Sequence, residues 1–369
     1  MFLRQITILL LCAMGIYSCN RAPNTSADYT IKCESVDTDI FISDSVKNVD
    51  FIVLRSDDRH LVGDIDKVII YEDNIYIGDY TTQAVYIYDL LGNFISVIDH
   101  HGRGPGEYVN IQNFIVSDNN VYIYDFYLNK ILIYNSINSS FLYELNLPFN
   151  ISDFELLSNG DFLFACTPSV GDPNIDPDLR YRLIITDSQL KIKNKYLKYK
   201  NKEYDAFIFN NPLSPYEDKV LYASSSKDRY YILSRINGNI EETIDIEFSK
   251  SVPHSKRSDI TYFENENYSY QCDAPIMCQQ YIAFKFVNGE FGSEHFYHTQ
   301  KQVNMSNISD SASNMVFGVV GSYQNCFISD WGGSETYKYA VSAGFNRAST
   351  DEEALILADI PYIVLYYMK

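Results

Sequence analysis

Residues 99–108, DHHGRGPGEY, place two histidines, an arginine and a glutamate among three glycines and a proline. Such a stretch could cradle a phosphate, hold a metal or turn a corner. The phosphate reading fails, because a P-loop needs a following Lys-Ser/Thr and a helix N-terminus, whereas the strand-like NIQNFIV follows here. His100 and His101 are adjacent, so in extended chain they point to opposite faces and cannot share an ion. His295 and His298 are three apart in β-like sequence and splay likewise, and the six histidines form no HExxH. The corner explains most of the motif: glycine opens backbone angles closed to other residues, and Pro105 presets φ. Arg103, Glu107 and Tyr108 are left as ligand-binding candidates, and the planar fork of Arg103 suits a carboxylate or sulfate.

Other constellations are weaker. GDPNIDPDL (171–179) sets Asp172, Asn174, Asp176 and Asp178 at alternate positions, like the start of a calcium loop. Pro173 and Pro177 interrupt it, no glycine occupies the sixth position and Leu183 occupies the twelfth, so a solvated acidic loop is expected. No cofactor is expected; calcium is the cation left open. There is no G-x-S-x-G elbow, and no catalytic residue is assigned. Trp331, the single tryptophan, could stack on a sugar, but its DWGGS setting favours anchoring a turn. Cys272 and Cys278 could pair across a loop in an oxidising compartment; no CxxC occurs.

The elements that carry these residues are strands. The chain holds 32 tyrosines and 22 phenylalanines, which suit a pleated, half-buried surface. Short runs such as KVIIYED, NIYIGDY and AVYIYDL end in turn-forming Asp, Asn or Gly. Helical periodicity is confined to the leader and a short STDEEALILADI near the C-terminus. The order of the runs repeats: residues 73–98 align with 119–145, so that Tyr76, Asp79 and Tyr88 fall on Tyr122, Asp125 and Tyr134, each 46 residues on. Four-strand units of about 40–50 residues are the signature of propeller blades. Asp50 to Lys369 gives room for six blades once the later insertions are allowed for, with seven as the less favoured count. DFIVLR is expected to complete the last blade and close the ring.

At the N-terminus, Arg4 precedes a 12-residue apolar run, too short to span a bilayer but suited to a secretory signal. IYSC, ending at Cys19, resembles the bacterial lipobox, which implies acylation of Cys19 and attachment to a membrane. Residues 1–18 are then the signal peptide, 19–49 the lipidated cysteine, tether and lead-in, and 50–369 one propeller. Without the leader the chain carries 28 basic against 48 acidic residues, a net charge of −20, which argues against nucleic acid as partner. KIKNKYLKYK (191–200) is the local exception and reads as an edge strand guarded by lysines.

KVIIYEDNIYIGDY, HGRGPGEY, VYIYD and PYIVLYYMK resemble the six-bladed, NHL-like propeller lipoproteins of Gram-negative gut-type bacteria. The likeness implies an all-β propeller of four-stranded antiparallel blades in the cell envelope, anchored at the outer membrane, but no reaction. In that fold the inter-blade crossings and the turns between second and third strands share a face. Tyr80 and Tyr127 therefore join Arg103, Glu107 and Tyr108 as candidates for ligand binding at the channel mouth. The leading expectation is a binding or scaffold module for an envelope protein, peptide or glycan. The alternatives are a metal-dependent lactonase-like hydrolase or carbohydrate lyase, and an accessory subunit of an outer-membrane uptake complex.

Overall fold

The computed structural model describes residues 27–33, 36–56, 59–166, 168, 176–200, 203–265, 267–289, 291–306 and 315–369. The expected signal peptide, Cys19, and Asp172 and Asn174 lie outside the described residues. The chain forms a six-bladed β-propeller of antiparallel blades, with two short α-helices among the described residues.

Blade 1 runs Lys67–Tyr71, Asn74–Asp79, Ala84–Asp89 and Phe94–Ile98 from the channel outward. Blade 2 is Asn113–Ser117, Asn120–Asp125, Lys130–Asn135 and Phe141–Asn146, and blade 3 is Asp153–Leu156, Phe162–Ala165, Tyr181–Thr186 and Ile192–Lys198. Blade 4 comprises Leu213–Tyr216, Lys219–Ser224, Lys227–Ser234 and Ile240–Glu247. In blade 5 the inner position is divided: Ser269–Gln271 and Ile276–Cys278 both pair with Tyr281–Asn288, followed by Phe291–His298 and Val303–Ser306. Blade 6 is Val319–Tyr323, Cys326–Ser329 and Tyr362–Met368, completed by Val46–Val53 from the other end of the chain. That union removes the free edges the two ends of the chain would otherwise leave, as expected from the sequence.

The segment before Asp50 is more than a tether. Tyr29–Lys32 adds a parallel fifth strand to blade 4 and Val36–Phe41 adds one to blade 5, so the lead-in wraps three successive rims. Parallel addition to an outer edge needs only backbone hydrogen bonds, which is why these short strands carry no repeat signature.

Six apolar clusters fill the wedges between neighbouring blades. Strand alternation explains the unbroken apolar runs. Ile75 and Ile77 pack toward blade 6 while Tyr76 packs toward blade 2, and Tyr122 and Tyr124 pack toward blade 3 while Val121 and Ile123 face blade 1. A strand buried on both faces has no polar side to display.

The helices, Ser334–Ser342 and Thr350–Ile356, lie between the second and third strands of blade 6. The second begins at a capping box of Ser349 and Glu352, as STDEE suggests. The first was not foreseen; it forms because Tyr337 and Ala340 bury against Phe51 and Trp331. Trp331 is itself interior, 3% exposed, stacked on Phe317 with Nε1 donating to Tyr366 Oη at 3.1 Å. Among the described residues no helix is long and apolar enough to cross a membrane.

Candidate functional site

The glycine loop follows the outermost strand of blade 1 and lies over the outer part of blade 2. Gly106 sits against Phe141 of that blade's last strand, and its carbonyl accepts from Tyr134 Oη at 3.0 Å. Gly102 has φ +149°, and a Cβ there would fall 1.9 Å from Glu107 Oε2. The backbone angle is the reason for glycine, and its missing side chain leaves room for the Glu107 carboxylate, which folds back into the loop, where Oε2 accepts from Gly104 N at 2.8 Å. Tyr108 is fully buried and its hydroxyl meets the carbonyls of Gln83 and Ile98 at 2.9 and 3.0 Å. Arg103 is exposed and makes no ion pair or hydrogen bond with a described residue. Tyr127 is 71% exposed, edge-on to Phe126. Arg103, Glu107, Tyr108, Tyr80 and Tyr127 are thus not gathered into one pocket, and none lines the central channel. The crossing travels over the rim before it turns inward, and its polar groups are largely used in holding that path.

The repeat carries a buried staple on the same face. Asp79, fully buried, accepts from Gly63 N at 2.7 Å through one oxygen and from Thr81 N and Thr82 N through the other. Asp125, 46 residues on, accepts from Val109 N at 2.6 Å and Leu128 N at 2.9 Å. Each carboxylate ties an incoming crossing to the turn between second and third strands, satisfying amides that would otherwise be buried unpaired.

The channel is enclosed by the inner strands and has a volume of about 460 Å³. At its crossing-face end the first residues of the inner strands of blades 1 to 3 form a chain. Lys67 Nζ donates to Asn113 Oδ1 at 2.7 Å, and Asn113 Nδ2 donates to Asp153 Oδ1 at 2.5 Å. Asp153 Oδ2 then accepts from Leu213 N of blade 4 at 2.9 Å. Burial pushes the Asp153 carboxyl up to about 7, opposed by the neighbouring Lys67; burial likewise lowers the Lys67 ammonium. Tyr80 borders this girdle: its hydroxyl is buried with no hydrogen-bond partner among the described residues, and burial, reinforced by the charges of Asp153 and Asp66, holds it well above its ordinary value.

Opposite lies a second charged group, made possible by the divided inner strand of blade 5. With the ladder interrupted between Gln271 and Ile276, Lys285 of the second strand and Asp273 of the gap both line the channel. The Lys285 ammonium makes no ion pair or hydrogen bond with a described residue, and of the Asp273 carboxylate only Oδ1 is engaged among the described residues, accepting from Ala274 N at 2.9 Å. Glu294 accepts from Gly318 N and Val319 N, each at 3.0 Å, and Asp330 accepts from Gly332 N at 2.8 Å. Burial raises Asp273, Glu294 and Asp330, and Lys285 pulls all three partly back. At the far end of the channel, Tyr216 Oη donates to Gln324 O at 2.7 Å and Tyr323 Oη to Glu72 O at 3.1 Å, lacing blades 4, 6 and 1 together. No sequence motif announced Lys285 or Asp273. The available signal was a lysine inside an otherwise apolar strand, YIAFKFV, with PIMC preceding it.

The remaining candidates are structural. His295 packs on Phe286 with ring centroids 4.4 Å apart, and burial lowers it to about 4. His298 is buried and accepts from Lys301 N. Cys272 and Cys278 form no disulfide, nor do the other three described cysteines. Among the described residues no three His, Cys, Asp or Glu side chains are grouped to hold a metal ion.

A family model described as Domain of unknown function (DUF4934) matches residues 28–348. The chain belongs to this family. The DUF4934 match begins at the first strand on the rim of blade 4 and extends through the first helix of blade 6. Among solved structures, a "putative exported protein" of Bacteroides fragilis shares the fold with a TM-score of 0.72 at 16% identity, over 92% of this chain and 99% of that one. A member of the duf4221 family from Bacteroides vulgatus aligns at 0.52 and 8% identity, over 88% and 97%. At these identities the DUF4934 chain shares with both an architecture and nothing finer. No curated protein matches it by sequence.

Proposed function

We propose that this DUF4934 chain is an exported envelope lipoprotein whose propeller is a binding module, with its ligand seated in the central channel. One observation carries the reading: a cavity of about 460 Å³, in the range of small-molecule sites, is lined by an ammonium and a carboxylate oxygen that make no hydrogen bond or close ion pair with a described residue. Structural charges are ordinarily paired when taken from water, as Arg182–Asp205 (2.6 Å) and Arg257–Asp228 are elsewhere in this fold. A larger partner, protein or glycan, would meet Arg103 and Tyr127 on the same face. Cys19 supplies the acyl anchor in this reading, and the exported Bacteroides fragilis likeness supports an envelope location.

The test uses the soluble chain bearing Cys19→Ser, screened by saturation-transfer NMR against peptide and oligosaccharide hydrolysates of envelope material. Signals are expected for the parent and lost in Ser214→Trp, which fills the channel from blade 4. Equal signals in both chains, or none in either, refute the channel as a binding site. Labelled palmitate should enter the full chain and not its Cys19→Ser variant; incorporation into both refutes the anchor.

A further inference from the structure

Resting on that channel reading, we infer that the ligand is an uncharged polyhydroxyl molecule, a mono- or disaccharide, held at a vicinal diol between Lys285 and Asp273. The two groups face one cavity, one a pure donor and the other a pure acceptor with an unused oxygen. Neither lies within ion-pair distance of the other, since no bridge of 4 Å or less joins them among the described residues. A single hydroxyl both donates and accepts, so two on adjacent carbons satisfy Lys285 and Asp273 together without changing the charge of the site.

Charged ligands fit less well. An anion drawn to Lys285 would meet Asp273 and feel the nearby charges of Glu294 and Asp330, all three of which burial already disfavours as anions. A cation drawn to those carboxylates would meet Lys285, with Lys67 across the channel. A neutral polyol adds no charge to a desolvated site, and its hydrogen bonds to ionised groups are of the stronger kind. Tyr71, Tyr216 and Tyr323 also line the cavity, and tyrosine combines apolar area with a polar tip of the kind that suits a sugar. Its volume of about 460 Å³ accommodates a small saccharide and excludes a folded partner.

Calorimetric titration of the soluble Cys19→Ser chain should compare three sets of probes. These are neutral disaccharides (cellobiose, maltose, mannobiose, lactose), sugar acids (glucuronate, galacturonate) and amines (glucosamine, glycyl-lysine). The expected result is binding of at least one neutral disaccharide, weakened about tenfold or more by Lys285→Met and by Asp273→Asn, with the parent's melting temperature retained in at least one variant. Tighter binding of a sugar acid or an amine, with the same dependence on Lys285, overturns the polyol class and leaves the channel reading intact. Disaccharide binding that neither variant alters overturns the placement. If no probe binds, the saccharide inference falls, and the hydrolysate screen decides whether the channel reading falls with it.

Discussion

Replacing Lys67 with methionine should destabilise the propeller in a pH-dependent way, because Lys67 is the cation that offsets a buried carboxylate two blades away. Asp153 is 1% exposed and its carboxyl stands at about 7 against an ordinary 3.8. That gap of about three units corresponds to roughly 4 kcal/mol. The sign follows from proton binding: between about pH 4 and pH 7 the folded chain keeps a proton that the unfolded chain has released, so stability falls as pH rises through this window and levels off above it. Lys67→Met leaves an unbranched stem but deletes the ammonium, so Asp153 titrates higher still and the added loss appears above the parent's value. Each further unit costs about 1.4 kcal/mol. The lost bond to Asn113 Oδ1 (2.7 Å) contributes about 1 kcal/mol at any pH. Denaturant unfolding, followed through the emission of the single, buried Trp331, should therefore give a penalty at pH 8 larger than that at pH 5.5 by about 1 kcal/mol, with a ceiling of about 1.4 set by the single unit between pH 8 and the parent's value. Equal penalties at the two pH values, or a larger one at pH 5.5, would refute the coupling.

Gly102→Ala should lower stability by about 1–3 kcal/mol, because φ is +149° and the new methyl meets Glu107; Gly102→Ala with Glu107→Ala should recover only the steric part. Thermal melts of the two variants check this, and equal melting points for parent and Gly102→Ala contradict it. Tyr108→Phe removes hydroxyl bonds to two carbonyls and should cost about 1–2 kcal/mol, whereas Arg103→Ala, at an exposed side chain with no ion pair among the described residues, should stay within about 0.5 kcal/mol of the parent. The reverse order in urea titrations would show the loop misassigned. Asp125→Ala strands the amides of Val109 and Leu128 and should cost about 2–4 kcal/mol, with hydrogen exchange rising first at residues 109 and 128. Uniform acceleration across the blade would point instead to general loosening.

The candidate site was legible only in part. The 46-residue spacing located the crossings, and the glycines of residues 102–106 were recognisable as a corner because positive φ has few other solutions. Glu107 and Tyr108 looked available for ligand because their types are functional, yet both are occupied by the backbone of the corner itself. Asp79 and Asp125 read as turn residues and prove to be buried staples, a role that depends on amides sixteen positions away. Lys285 and Asp273 carried no spacing signal, since they converge only where blade 5's inner strand breaks.

Local information in the chain, namely alternation, turn chemistry and a recurring unit, determined the blades, their order and their closure by the N-terminal strand. Each depends on contacts between neighbours in sequence or on a period that can be counted. Tertiary structure alone decided which polar groups remain unsatisfied. That outcome rests on contacts among inner strands far apart in sequence, on the lead-in strands wrapping blades 4 and 5, and on a rim path that carries the glycine loop away from the channel. Burial and partner count are properties of the closed ring, and no short stretch of sequence contains them.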